Sequence, residues 1–362
     1  MYSIREEINR EEDDKMNNSI MDKTKQFLTR NKKPRVDFER TPLMERLKSK
    51  YLSATFLGNV VWFIFRMVLL IGISYVILFP FFVKISSSFM SPADYTDVTV
   101  KLIPKYPTLD TYKAIITENR YFEAMFNTAV LSLLCAVVQM FICSIVGYGF
   151  AKFKFKFRGV LFLCVIFTMI VPHETIMLSM FMKFRYFDIF GIYGFLNNMI
   201  GFAKDDYINL INTYWPLAIL SFGGLAFKNG LYIFMMRQFF RGVPDELEEA
   251  AYVDGSGVFN TFVKIILPIS VPMMITIFLF AFSWQWTDSF YTTLFFTKQG
   301  IYLMPNIVEI PRSLTTNFAA TTLYNSGIRN TCGLLILTPL LVVYLFCQKY
   351  LVQGIERSGI VG

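Results

Sequence analysis

Six stretches of the sequence are free of charge, or nearly so, over close to the length a helix needs to cross a bilayer. They are Met67 to Val83, Ala124 to Ala151, Gly159 to Pro172 continuing past Glu174 to Met182, Tyr207 to Phe227 continuing to Met236, Ile265 to Thr287 continuing to Phe296, and Asn330 to Gln348. A hydrocarbon core about 30 Å thick takes about 20 helical residues to cross. It offers no partner to backbone N–H and C=O groups, so such stretches fold as helices. The expectation is an all-α polytopic membrane protein with about six transmembrane helices. Composition agrees: 54% of the 362 residues are hydrophobic and 17% charged, against about a quarter charged in a soluble domain.

The 35 basic and 27 acidic residues leave a net charge of +8. The basic residues flank the apolar stretches rather than gathering in one domain, which argues against a nucleic-acid partner. Arg46, Lys48, Lys50 and Arg66 precede the first stretch, and Lys152, Lys154, Lys156 and Arg158 lie between the second and third with no acid among them. Both segments are expected on the cytoplasmic side. The segment from Ser87 to Glu123 offsets its basic residues with acids and reads as external. Six crossings then place both termini, and the link from Arg237 to Lys264, in the cytoplasm. Residues 1–58 read as a charged cytoplasmic tail ahead of a transmembrane domain over 59–362. The first 50 residues hold no apolar core segment and do not form a cleaved signal peptide. The tail's cluster Lys23, Lys25, Arg30, Lys32, Lys33 and Arg35 reads as solvated, with anionic lipid headgroups as the other available contact.

Five cysteines, Cys135, Cys143, Cys164, Cys332 and Cys347, fall inside apolar runs without CxxC spacing and are read as packing residues. The single His173 leaves no histidine-based zinc site and argues against a Ser-His-Asp mechanism.

The link between the fourth and fifth stretches has its own physics. Pro244 suits the first turn of a helix, and Asp245, Glu246, Glu248 and Glu249 suit the positive end of its dipole. A short helix is predicted through Leu247, Ala250 and Ala251, ending near Asp254 and Gly255, with a second short helix beyond Ser256. Leu247, Ala250 and Ala251 form a narrow apolar ridge whose small side chains let a partner's surface come close.

From Glu249 the order is Glu-Ala-Ala, three residues, Gly255, nine residues, Ile265, one residue, Leu267 and Pro268. This resembles, at every defined position, the EAA loop of the membrane-spanning subunits of ATP-binding-cassette (ABC) importers. Flanking segments resemble the maltose and multiple-sugar branch: Met236-Arg237-Gln238-Phe239-Phe240, Leu267-Pro268-Ile269-Ser270-Val271-Pro272, Asn212-Thr213-Tyr214-Trp215, Pro107-Thr108-Leu109-Asp110-Thr111-Tyr112 and Tyr350-Leu351-Val352-Gln353-Gly354. The resemblance covers roughly residues 60 to 362. Where the family often has Trp-Asn-Asp-Phe, this chain has Trp286-Thr287-Asp288-Ser289, and Met199 to Asn209 look like an insertion.

The resemblance implies a type I ABC importer permease with a cytoplasmic coupling-helix loop over about 239–266. It implies a second, different permease subunit, two ATP-binding-cassette ATPase subunits, an extracellular solute-binding protein and a sugar, an oligosaccharide or glycan fragment, as cargo. ATP is bound by the ATPase subunits and the permease carries no cofactor, metal or catalytic residue. By resemblance Glu249 makes a polar or ionic contact to the ATPase, Ala250 and Ala251 allow close seating, and Gly255 sets the angle between two short helices, with Asp254, Ile265, Leu267 and Pro268 completing the motif.

Charges at membrane depth are functional candidates. Arg66 and Lys228 are read as snorkelling to the interface. Glu174, beside Pro172, is a candidate for the translocation pathway, as are Gln285, Trp286 and Asp288, where aromatic rings can stack on a sugar or form an interfacial belt. The loop from Thr297 to Ser326, with Pro305, Pro311, Thr315, Thr316 and Asn317, is expected outside, against the solute-binding protein or as a connector. A membrane enzyme is disfavoured by the absence of HExxH and of a serine nucleophile elbow, and a self-powered pump by the absence of GxxxxGK[ST]. A secondary transporter or channel without an ATPase partner is the alternative, but no internal repeat is found.

Overall fold

Helices form along the long apolar runs and carry Pro80, Pro272 and Pro339 within them, while Pro172 marks a break. The structure, a computed structural model, describes residues 21, 54–189, 191–201, 207–226, 228–296, 300–315 and 320–359. The tail's basic cluster, Thr316 and Asn317 lie outside the described residues, as do the side chains of 351–359. In chain order the helices are α1 (Ala54–Ser88), α2 (Pro92–Thr96), α3 (Asp110–Glu118), α4 (Tyr121–Lys152), α5 (Arg158–Ile170), α6 (Met177–Arg185) and α7 (Ile192–Ile200). They continue with α8 (Trp215–Phe222), α9 (Asn229–Arg241), α10 (Glu246–Val253), α11 (Val258–Trp286), α12 (Phe290–Phe295) and α13 (Thr321–Gly359).

The chain divides into two units, Met1–Ile77 and Leu78–Gly362. In the first, every side chain from Val61 to Ile77 is exposed, and the Arg66 guanidinium lies 5.9 Å above the Trp62 ring. The second holds the helical bundle. Among the described residues four helices are long and apolar enough to cross a bilayer: Gly58–Ser88 of α1, α4, α11 and Thr321–Tyr350 of α13.

The other two expected crossings are broken. The third is α5 and α6, bent by 95° where Val171 and Pro172 leave the helix and His173–Ile176 make one 3-10 turn. The fourth is α8, of 8 residues, and α9, of 13. Gly224 and Lys228 between them both take positive φ, +68° and +67°. Uncharged length alone does not show this break, because Lys228 is a non-glycine residue in the left-handed region, held there by its surroundings.

Helix α4 is the centre of the bundle, packing on α8, α9 and α11, while α11 packs on α13. Its buried stripe Ala124, Thr128, Ser132, Ala136, Gln139, Cys143 and Gly147 recurs every three or four residues. Small side chains on one face let backbones approach, which is how helices associate in lipid, where apolar burial gives little preference for protein over acyl chain. A Cβ on Gly147 would sit 2.5 Å from Met236 Cβ and 3.0 Å from the Arg237 backbone nitrogen, and one on Gly230 would meet Thr168 Oγ1 at 2.5 Å. Helix α9 is thus clamped between α4 and α5. Three cysteines, Cys135, Cys143 and Cys332, are packing residues; Cys164 is exposed instead.

The loop after α12 is not a free external connector along its first half. Met304 and Ile307 are fully buried. Asn119 Nδ2 donates to the Ile307 and Glu309 carbonyls, 2.8 Å each, Asn127 Nδ2 to the Tyr302 carbonyl, and the Met304 N–H to Thr128 Oγ1. Its backbone is satisfied by side chains of α3, α4 and their junction, which lets it sit inside the bundle.

The clamp at Gly147 is testable. Gly147→Val should destabilise the bundle by about 1–3 kcal/mol through overpacking and lower the melting temperature of the detergent-purified protein. Gly149→Val, two residues along the same helix where a Cβ meets nothing within 4 Å, should leave it unchanged.

Candidate functional site

The segment Gly242 to Pro268 builds a short helix from strong local signals. The α10 cap is Asp245, and Glu246, Glu248 and Glu249 fill the first turn, where negative charge meets the helix dipole. Pro244 therefore precedes the helix rather than occupying its first turn. At the other end Asp254 is the C-cap and Gly255 takes φ +82°. The Ser256 N–H donates to Ala251 O at 2.9 Å and the Gly255 N–H to Tyr252 O at 3.0 Å, the paired bonds of a Schellman stop.

The second short helix starts beyond Ser256 as expected, at Val258–Thr261, and runs through a π-turn at Phe262–Ile266 into the rest of α11. Pro268 lacks an N–H and its ring would clash with the Lys264 carbonyl in an unbroken α-helix, and the widened turn accommodates both. Gly255 therefore sets the angle between α10 and the start of α11. Ile266 is fully buried, Ile265 and Leu267 are half-buried, and Pro268 and Asp254 are exposed.

The two faces of α10 differ from the expected ridge. Glu248 and Ala251 are buried in the chain itself, so Ala251 is not available to seat a partner. Leu247, Ala250 and Val253, at i, i+3 and i+6, are exposed, with Glu249 beside them. Val253 is 87% and Phe259 77% exposed. The outward apolar surface is thus Leu247, Ala250 and Val253, continued by Val258 and Phe259 across the turn.

The inner face is tied to the bundle by Lys152, the last residue of α4. Its side chain is 8% exposed and its Nζ lies 3.5 Å from a Glu248 carboxylate oxygen. It donates to the Val243 carbonyl at 2.6 Å and to the Asp245 carboxylate. The Lys152 hydrogen bond and charge hold the Asp245 carboxyl below its usual range. A depressed carboxyl stabilises above its unfolded pKa of about 3.9 and loses that contribution as pH falls through the folded value. The pair is therefore ionic throughout the neutral and mildly acidic range. Charge counting placed Lys152 only among residues flanking the membrane, because nothing local in the sequence pairs it with residues about ninety positions on.

The other candidates separate. Glu174 is exposed and lines a cavity of about 310 Å³ with Pro172, His173 and Lys228. Lys228 does not read as a snorkelling residue here: its Nζ stands 5.0 Å over the exposed Trp284 ring. His173 Nδ1 and the Tyr291 hydroxyl are 3.1 Å apart. Gln285 and Asp288 share a small recess with Gln139, Trp284 and Tyr291. Gln285 Nε2 is buried without a hydrogen-bond partner among the described residues. Asp288 accepts from the N–H groups of Tyr291 and Thr292 at 3.0 and 3.2 Å, capping α12.

Trp286 is not a pathway residue: it is 2% exposed and its Nε1 donates to the Ile336 carbonyl of α13 at 2.9 Å. Trp284, two residues earlier, is exposed instead, at the recess it shares with Gln285 and Asp288 and under the Lys228 ammonium. Gln139, which bonds Ser221 Oγ of α8 at 3.3 Å, was also missed. An amide in the middle of the long uncharged run of α4 is the signal that marks it.

The sequence profile of the family described as "Binding-protein-dependent transport system inner membrane component" matches residues 139–357. Protein LplC of Bacillus subtilis is 27% identical over 80% of this chain and 92% of its own length. The Arabinooligosaccharides transport system permease protein AraQ of the same organism is 25% identical over 80% of this chain and 92% of its own length. A crystal structure of a bacterial ABC transporter involved in the import of the acidic polysaccharide alginate superposes with a TM-score of 0.58. It is 22% identical, and the match covers 81% of this chain and 97% of that one, which shows a shared fold.

A Cβ at Gly255 meets nothing within 4 Å, so its substitution tests backbone conformation alone. Gly255→Val should cost about 1–2 kcal/mol in the left-handed region and re-aim α10. Faster protease cleavage between residues 253 and 258, with an unchanged global melting temperature, is the expected result.

Proposed function

The chain belongs to the family of binding-protein-dependent transport system inner membrane components, a multi-pass membrane protein. From that premise we propose that it is the permease subunit of an ATP-driven importer moving a sugar, an oligosaccharide or glycan fragment, across the cytoplasmic membrane. Relatives named for arabino-oligosaccharide transport and a structural neighbour described for alginate import support the choice of cargo. The observation that carries the reading is α10. It is a short helix whose inner face is bound to the spans through Lys152 and whose outer face, Leu247, Ala250 and Val253 with Glu249, is exposed.

In this reading the outer face of α10 seats in a partner ATPase, Glu249 supplies a polar contact at its edge, and ATP is bound and hydrolysed there. Two ATPase subunits, a second permease subunit and an external solute-binding protein complete the assembly, and both termini lie in the cytoplasm. The permease performs no chemistry. It alternates between two arrangements of its helices, and the ATPase biases that equilibrium through α10. The breaks in the third and fourth crossings supply the irregular backbone that membranes tolerate only against protein or a water-filled cavity. Glu174 and Lys228 line one cavity at these breaks, and the Lys228 ammonium reaches from it to the Trp284 ring.

Two tests follow. Gentle extraction of the tagged chain with mass spectrometry of its companions should recover a second multi-span permease and an ATPase, and Glu249→Lys should lose the ATPase alone. Recovery of the chain by itself would point to a channel or secondary transporter. In transport assays, Trp284→Ala should raise KM severalfold. Trp286→Phe should leave KM unchanged while costing about 1 kcal/mol of stability for its lost hydrogen bond.

A further inference from the structure

Lys152 is an unusual residue for the end of a membrane helix. Lysines at such ends normally extend into water or headgroups, and Lys154 and Lys156 two and four residues on are exposed. Lys152 instead turns inward. Its ammonium donates to the Val243 carbonyl ahead of α10 and to the Asp245 carboxylate at its cap, and it forms an ion pair at 3.5 Å with the Glu248 carboxylate in the first turn. Its backbone is held as well, since Arg158 donates to the Phe153 and Ala151 carbonyls at the C-terminus of α4. Five residues before it, Gly147 brings α4 against Met236 of α9 with no room for a side chain.

We propose that Lys152 is the positioning residue through which α10 moves the transmembrane helices, the charged pin that makes α10 and the cytoplasmic end of α4 one rigid body. The inference rests on the importer reading. Helix α10 joins the chain through two non-helical turns: Gly242 and Val243 lie ahead of it, and the positive-φ Gly255 lies after it. On this proposal these two turns alone do not fix α10 against the spans. The ammonium ties it at Val243, Asp245 and Glu248, and α4 carries the displacement to α8, α9 and α11, the helices it packs on. A push on the outer face is then delivered to the hub of the bundle rather than absorbed in the turn at Gly255.

The test uses the complete transporter in proteoliposomes, comparing wild type with Lys152→Gln and Lys152→Arg. Three quantities are read: retention of the ATPase on the purified complex, ATP hydrolysis stimulated by the solute-binding protein, and sugar moved per ATP hydrolysed. Lys152→Gln should keep the ATPase bound, because the outer face of α10 is untouched, while sugar moved per ATP falls roughly tenfold. Lys152→Arg should restore most of it. If Lys152→Gln does not accumulate, the double variant Asp245→Asn with Glu248→Gln carries the same test, with the same loss expected. Normal sugar per ATP in either uncharged variant, or a Lys152→Arg complex as defective as Lys152→Gln, would overturn the proposal. A wild-type complex that holds no ATPase would refute the importer reading itself, a result separable from any behaviour of the variants.

Discussion

Lipid provides no partner for a backbone polar group, and this one constraint accounts for most of the architecture. It forces the long apolar runs into helices and makes small residues, rather than large apolar ones, the means by which those helices meet. The stripe on α4 is that means here. Wherever the backbone departs from a helix, the constraint demands substitutes: Asn119, Asn127 and Thr128 satisfy the loop that re-enters the bundle at Tyr302 to Ile307, and Asp288 satisfies the first turn of α12.

The same constraint sorts the charges. Lys152 and Glu248 are nearly buried and paired; Lys228, Glu174 and His173 gather at the breaks in the third and fourth crossings, around a cavity. Breaking a crossing costs backbone hydrogen bonds, so a broken crossing that persists marks a place where the chain lines space rather than lipid. Helix α10 sits at the Lys152 end of α4, and α8 and α9 of the broken fourth crossing pack along α4 within the bundle.

The approximate positions of the crossings were legible because uncharged length is a local property of the sequence; of the six expected, four helices among the described residues, or five with the bent pair α5 and α6, are long and apolar enough to cross. The stop of α10 was legible too, since Gly after an Asp C-cap reports its own backbone. What was not legible depends on partners distant in sequence. Trp284 and Trp286 are two residues apart in one helix, and only the position of Ile336 decides that Trp286 faces the core. Ala250 and Ala251 are equivalent by type, and only the Lys152 tie to Glu248 decides which of them turns inward. The break at Lys228 went unseen because left-handed backbone at a non-glycine residue is imposed by tertiary contacts.

On the proposed function, the outer face of α10 is where this chain receives mechanical work. The most direct measurement places a photo-crosslinking residue at Val253, the most exposed apolar position on α10, in cells expressing the whole transporter, and identifies the adduct by mass spectrometry. The account predicts an adduct with an ATPase subunit at Val253 and none from the buried position Ala251. Adducts that form from other exposed cytoplasmic positions such as Phe157 but not from Val253, or a Val253 adduct with anything but an ATPase, would contradict it.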